Sequence, residues 1–257
     1  MAAGRLMHDL WAVLTGRRAV SESMWVLSFE APAIAREARA GQFVNLLLRP
    51  GPLLRRPFSV YDSHEDTIEI LLSAVGVGTR LLLQLDTGDA VSILGPLGHG
   101  FELDPDAGPV ALVSGGLGVA PMPLAAAAAA NLGLRVDWVH GARSAAQLCS
   151  EWSGDEVRWA TDDGSRGYKG SVLDVVPESA GQILACGPTA MLAALAGLYP
   201  RAQVAVETLM GCGTGVCLGC AVPRVAGGYD RACTEGPVYP AAGIRWPELP
   251  APAHGPA

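Results

Sequence analysis

The sequence predicts an α+β protein with two large parts and a small third. These are an antiparallel β-barrel, a doubly wound α/β domain, and a short C-terminal segment built around cysteines. Three observations carry this reading. Short apolar and aromatic runs separated by turn residues fill the stretch from Val13 to Leu103, the pattern of a closed antiparallel barrel. From Pro109 to Glu207 apolar strands alternate with helical runs, as in a doubly wound sheet. Beyond Glu207, four of the chain's six cysteines fall in one glycine-rich stretch. The boundaries that follow are 1–104, 105–206 and 207–246, with 247–257 as a Pro- and Ala-rich mobile tail.

In the first part, Trp25–Phe29, Phe43–Leu48, Phe58–Tyr61, Thr67–Ser73 and Ala90–Leu94 read as strands. Arg49-Pro-Gly-Pro52, Asp62-Ser63 and Thr87-Gly-Asp89 punctuate them. A helix over Arg80–Leu85 is expected behind Thr79 as N-cap. In the second part, Val110–Val113, Val136–Val139, Ile183–Cys186 and Gln203–Val206 read as strands. Met122–Asn131 and Thr189–Leu198 read as helices, Pro123 being tolerable only in a first turn. Ser144 is expected to cap a short helix, and Val172–Val176 to start another after Gly170-Ser171. No internal repeat is present.

Composition narrows the function. Half of the 257 residues are apolar, enough for a sizeable core. The net charge is −7 and no block of Lys or Arg occurs, which argues against a nucleic-acid partner. No run reaches the roughly eighteen apolar residues of a membrane span, and the first fourteen residues lack the apolar core of a signal peptide. A cytoplasmic protein whose cysteines bind metal is the expectation.

The cysteines are the most specific signal. Cys212, Cys217 and Cys220 stand at C-x4-C-x2-C spacing, and Cys233 follows thirteen residues later. Four thiolates can hold two irons bridged by two sulfides, and this spacing is that of a plant-type [2Fe–2S] cluster. Gly211, Gly213, Gly215 and Gly219 are expected to adopt positive φ and to bring N–H groups near the cluster sulfurs. Zinc or free thiols are the rival reading, but zinc usually takes two separate C-x2-4-C pairs.

Arg56-Pro-Phe-Ser59 lies on a predicted strand and Gly76-Val-Gly-Thr79 opens a predicted helix. Arg56 can neutralise a pyrophosphate, the helix start can offer N–H groups to the same anion, and Ser59 can bond a flavin ring atom. A barrel strand with a surface arginine is the bland alternative. With Gly95-Pro-Leu-Gly-His-Gly-Phe101 following, the order of motifs resembles the ferredoxin–NADP reductase superfamily. Its usual first motif carries a tyrosine where Phe58 stands, so a hydroxyl contact is lost. The resemblance implies FAD bound by Arg56, Pro57, Phe58, Ser59, Gly78 and Thr79, together with Leu71, Leu72 and Ser73 at the end of the neighbouring strand.

Gly115-Gly-Leu-Gly-Val-Ala-Pro121 follows a strand and precedes a helix. That is the context of a dinucleotide loop, although a tight turn without a ligand would read the same. The resemblance gives Gly115, Gly116 and Gly118 to NAD, and it places Cys186, Gly187 and Pro188 near the nicotinamide and the flavin. A buried strand-end cysteine is the alternative for Cys186. Thr161-Asp-Asp-Gly-Ser165 resembles the ribose-side loop, with no obvious arginine to select a 2′-phosphate. NAD is therefore favoured over NADP.

From about Thr15 to Tyr239, and most specifically over Glu207–Cys220, the chain resembles the electron-transfer subunits of class 1B, NAD-dependent dihydroorotate dehydrogenases. Cys149 has no assignable counterpart there. The resemblance implies an oxidoreductase subunit with no catalytic residue of its own for dihydroorotate. A partner subunit containing FMN would oxidise that substrate in pyrimidine biosynthesis, in a heterotetramer of two of each chain. Electrons would then pass through the [2Fe–2S] cluster and FAD to NAD+. The rivals are a reductase subunit for a hydrogenase or oxygenase, and an electron carrier that has lost nicotinamide binding. Of the histidines at 8, 64, 99, 140 and 254, none has ligand spacing.

Overall fold

A computed structural model describes residues 7–149, 151 and 157–250. Six strands close an antiparallel barrel: β1 (His8–Ala19), β2 (Met24–Glu30), β3 (Phe43–Leu47), β4 (Arg56–His64), β5 (Thr67–Ser73) and β6 (Ala90–Leu97), in the order β1-β2-β5-β4-β3-β6. Alternate side chains point inward, because the strand repeat is two residues. Leu14, Leu27, Phe29, Val44, Leu46, Val60, Ile70, Leu72 and Ile93 fill the interior. The intervening positions on β3, β4 and β5, among them Asn45, Pro57, Ser59 and Leu71, therefore face outward, towards the rest of the molecule. A short helix α1 (Pro32–Ala35) adds to the core.

The helix near Gly78 differs from its expected position. It runs over Val77–Leu82 (α2), and Gly76 rather than Thr79 is the N-cap. Thr79 sits one turn inside, where its hydroxyl oxygen accepts from the Gly76 N–H at 3.0 Å. A side chain that closes the turn from within has replaced one that caps from outside.

The second sheet contains β7 (Val110–Gly115), β8 (Val136–Ala142), β9 (Val157–Thr161), β10 (Tyr168–Lys169), β11 (Gln182–Cys186) and β12 (Gln203–Ala205), with helices α3 (Met122–Asn131) and α4 (Thr189–Leu198). Its order is β10-β9-β8-β7-β11-β12, all parallel. The expected helices after Ser144 and Ser171 are single 3-10 turns, and the Ser144 side chain makes no capping bond.

The cysteine segment then forms a hairpin, β13 (Ala221–Pro223) with β14 (Tyr229–Arg231), and returns β15 (Val238–Pro240) antiparallel to β12 at the sheet edge. It packs against the barrel as well. Phe43, Leu94 and Leu97 share one apolar core with Cys220, Val222 and Cys233. The stretch from Pro247, expected to be loose, begins with an ordered 3-10 turn over Trp246–Glu248, and Leu249 packs into that same core. The remainder of that stretch, 251–257, lies outside the described residues.

The barrel and the α/β domain meet through a polar network. Arg18 bonds both oxygens of Glu69, at 2.6 and 2.7 Å, and also reaches Glu151, whose carboxylate accepts from the Tyr61 hydroxyl. Burial opposes charge on Glu69, but bonds from Arg18 and Ser28 outweigh it and hold the carboxyl below its usual range.

Candidate functional site

The cysteine segment owes its shape to a hairpin, a loop of constrained glycines and backbone bonds to sulfur. Cys220 precedes β13 and Cys233 follows β14, so pairing of the two strands brings together residues thirteen apart. The Ala232 N–H donates to the Cys220 carbonyl at 2.8 Å, and the two sulfurs lie 3.2 Å apart, both buried. Cys212 and Cys217 occupy the loop before the hairpin. The Cys212 sulfur accepts from the N–H groups of Thr214 and Cys217, each at 3.4 Å, and the Cys233 sulfur from Gly215 N–H at 3.1 Å.

Of the four loop glycines, only Gly213 and Gly215 have positive φ, at 74° and 80°. Gly211 and Gly219 serve differently: a Cβ on either would stand 3.3 or 3.6 Å from the Cys217 sulfur. Small residues here leave room around the ligand. Leu218 instead carries a left-handed φ of 58°, a conformation that costs a branched side chain energy.

These features fit an iron–sulfur cluster. N–H groups aimed at thiolate sulfur are the outer-shell bonds such clusters use. Burial works against ionisation of Cys212, but the N–H groups of Cys217 and Thr214 prevail and bring its thiol down to about 6. Burial and the neighbouring Cys220 push Cys233 up to about 12. Binding of metal would deprotonate both. Among the described residues no three His, Cys, Asp or Glu side chains are gathered as a single metal ion would need. The Cys220 and Cys233 sulfurs form a close pair on the hairpin, and the Cys217 N–H meets the Cys212 sulfur in the loop before it. Arg231 flanks the site, donating to the Gly215 carbonyl at 3.2 Å and pairing with Glu235, whose carboxyl it holds near 2.

On the barrel, Arg56 reaches α2. A Cβ on Gly78 would lie 3.3 Å from the arginine side chain, so glycine permits the approach. One guanidinium nitrogen of Arg56 donates to the carbonyls of Leu54 and Arg55 at 2.9 and 3.2 Å. That fixes the side chain while the guanidinium retains donors for an anion. Pro57 and Ser59 share the outer face of β4, whereas Phe58 packs against the barrel interior. On β5, Leu71 joins the core shared with Tyr61, Val119 and Cys186, while Leu72 points into the barrel and offers a ligand only its backbone. The Ser73 hydroxyl donates to the Ser23 carbonyl.

The two glycine loops of the second sheet meet at the carboxyl ends of adjacent β7 and β11. The strand order reverses between these two strands, which is where open α/β sheets bind ligands. Gly118 abuts Cys186 and Gly187 so closely that any Cβ would collide with their backbone. A Cβ on Gly115 would come within 3.0 Å of Pro188. Gly116 has φ 54° and open space where a side chain would be, so only a glycine gives both the turn and the room. Burial first, then Glu207, keeps the Cys186 thiol well above its usual range, and it stays neutral.

In the ribose-side loop, Asp163 accepts from Ser165 N–H at 2.9 Å and from its hydroxyl at 2.6 Å. Arg166, not singled out from sequence, stacks on Trp159 at 4.1 Å. His140 is a core residue. Its Nε2 accepts from Cys149 N–H at 3.4 Å, and its Nδ1 lies 3.0 Å from the Ser114 hydroxyl.

Known proteins resemble this chain over most of its length. A family model described as the iron–sulfur cluster binding domain of dihydroorotate dehydrogenase B matches residues 207–245. The chain is 36% identical over 249 residues to the dihydroorotate dehydrogenase B (NAD(+)) electron transfer subunit of Desulforamulus reducens, covering 88% of this chain and 94% of that one. It is 40% identical to the Clostridium acetobutylicum subunit of the same name, covering 79% and 85%. Among solved structures, an NADH-dependent reduced ferredoxin–NADP oxidoreductase aligns with a TM-score of 0.81 and 28% identity, covering 97% of this chain and 93% of that one. Phthalate dioxygenase reductase shares the fold at a TM-score of 0.61, 18% identity and coverage of 84% and 87%.

Proposed function

This chain belongs to the family of electron transfer subunits of NAD-dependent dihydroorotate dehydrogenase B, and from that premise we propose a division of labour among its residues. Cys212, Cys217, Cys220 and Cys233 hold the [2Fe–2S] cluster. Arg56 and the start of α2 hold the FAD pyrophosphate, with Pro57, Ser59 and Leu71 along the flavin. Gly115–Gly118 and Cys186–Pro188 cradle NAD at the reversal of strand order. Bound together, the cluster and FAD convert single electrons into the hydride pair that nicotinamide takes.

The observation that carries this reading is the seating of the cysteine hairpin and loop directly on the flavin barrel, in one apolar core with Phe43, Leu94 and Leu97. The chain's own residues then have passive tasks. Gly215 N–H steadies the Cys233 sulfur, Gly116 leaves room for the dinucleotide, and buried Cys186 presents a neutral thiol beside it.

Electrons enter from a catalytic subunit containing FMN, in a heterotetramer of two of each chain. That subunit docks where Val216 and Leu218 stand 81% and 65% exposed beside the cysteines. Exposed apolar side chains next to a redox centre suit a buried protein interface. We place this assembly in the cytoplasm, where it serves pyrimidine synthesis; no helix among the described residues is long and apolar enough to cross a membrane. The structural likeness to a ferredoxin–NADP oxidoreductase favours one second reading, a reductase subunit for another partner with the same cofactors.

Reconstitution separates the two. The isolated chain should reduce dyes with NADH and leave dihydroorotate untouched; adding the FMN subunit should create dihydroorotate:NAD+ activity. Cys220→Ser should abolish that coupled activity and spare dye reduction. NAD+ reduction at full rate by the cluster-free complex would overturn the proposed order.

A further inference from the structure

We infer that Asn45 is a positioning residue that ties the cysteine loop to the flavin strand and sets the electronic contact between them. The inference rests on the cluster and FAD assignments above. Asn45 lies on the outer face of β3, directly opposite Pro57 of the flavin strand. Residues opposed across antiparallel strands are about 5 Å apart, so Asn45 is one strand removed from the flavin motif. Its side-chain amide donates to the carbonyl of Cys212, a cluster ligand, at 3.3 Å. One residue thus stands beside the flavin strand through the β3–β4 pairing and reaches a ligand cysteine by its side chain.

The surroundings are built for this contact. Asn45 is only 1% exposed. Gly213, the residue after Cys212, comes so close that an added Cβ would collide with the Asn45 amide, and its φ of 74° also demands glycine. The Asn45 carbonyl is anchored in turn by Arg55 at 3.2 Å, which pairs with Asp9 at 2.9 Å. The Asn45 Oδ1 atom is buried with no partner. A buried unpaired acceptor is destabilising, so an apolar residue would serve simple packing better. What asparagine adds is the N–H aimed at Cys212. That bond fixes the distance and orientation of the ligand peptide relative to the barrel, and electron transfer falls steeply with distance. Asn45 takes no part in the electron balance: each electron that the reduced cluster loses would be gained by FAD, the NADH assay would run the same exchange in reverse, and no proton would cross at Asn45.

The test uses full-length holoprotein carrying Asn45→Leu, which keeps the volume and removes the donor, and Asn45→Asp, which keeps the shape and turns an acceptor toward the Cys212 carbonyl. Flavin bleaching by NADH in stopped flow should stay within about twofold of wild type. Bleaching of the cluster that follows should slow by about fivefold or more, the scale on which losing one hydrogen bond is felt. The electron paramagnetic resonance signal of the reduced cluster should shift in both variants, and its midpoint potential should fall in Asn45→Asp. Loss of iron from both variants with FAD retained would equally support a hold on the cysteine loop. Unchanged resonance and unchanged cluster bleaching at full iron content would overturn the inference. So would joint loss of FAD and iron from both variants, since Asn45 would then merely support the barrel. A wild-type protein that takes up no cluster would refute the cluster assignment itself, a failure visible before any variant is made.

Discussion

Inside the barrel, Leu14, Phe29, Ile70 and Ile93 are sealed from solvent on strands of up to twelve residues. In the cysteine segment no strand exceeds three residues, and Val216, Leu218 and Tyr229 stand in solvent. The barrel is held by burial of apolar surface, an effect summed over many contacts. The segment is held by a hairpin, by N–H groups on sulfur and by the Arg231–Glu235 pair, with the cluster as the largest single contribution when bound. The two regions touch, yet they should fail under different insults.

The largest expected effect lies in the barrel. Phe29→Ala removes a fully buried ring and should cost about 3–5 kcal/mol, lowering the urea midpoint of the whole chain and releasing FAD. Stripping iron with a chelator should do the reverse. Amide exchange at Gly215 and Cys217 should quicken while the barrel amides stay protected. Equal loss of protection in both regions would mean that the cluster also supports the barrel, and the comparison would break.

A smaller effect belongs to the edge between the regions and their ligands. Arg56→Ala should leave the fold and the iron content intact and weaken FAD retention by about ten- to a hundredfold, because the pyrophosphate loses a charge-assisted partner. Equal flavin content after dialysis would remove Arg56 from the site. This variant sharpens the comparison, since it would weaken the proposed ligand site of the barrel without touching its core.

The same contrast explains what the sequence made legible. Thr67–Ser73 and the helices Met122–Asn131 and Thr189–Leu198 could be read because burial calls for apolar runs of strand or helix length, and turn residues bound them. The proposed cluster ligands stand out because metal chemistry fixes spacing. The three-residue strands β13, β14 and β15 are too short for a period. The Asn45–Cys212 and Arg18–Glu151 contacts join residues 167 and 133 positions apart, and nothing local announces them. Nothing local announces Gly76 as the N-cap, because Thr79, the better capping residue by type, lies three residues on and bonds backward.

The mildest test concerns the second sheet, where one buried imidazole makes a burial-held region sensitive to acid. Burial pushes His140 down to about 4, against an ordinary value of about 6.5. Above pH 6.5 the ring is neutral in both the folded and the unfolded chain, and it adds no pH dependence. Between about 6.5 and 4 the unfolded chain binds a proton that the folded chain refuses, so stability falls as pH falls, by about 1.4 kcal/mol per unit from this group. Below about 4 the folded imidazole protonates too, and the slope ends. His140→Gln removes the titration while a side-chain amide can still meet Ser114 or the Cys149 N–H. Urea midpoints of wild type and variant, measured at several values across that window, should therefore converge as the solution is acidified, the wild type losing its advantage. Parallel curves would show that His140 is protonated in the folded chain or exposed to water. The acid sensitivity of the protein would then lie with other groups, and the second sheet would be as indifferent to pH as the interior of the barrel.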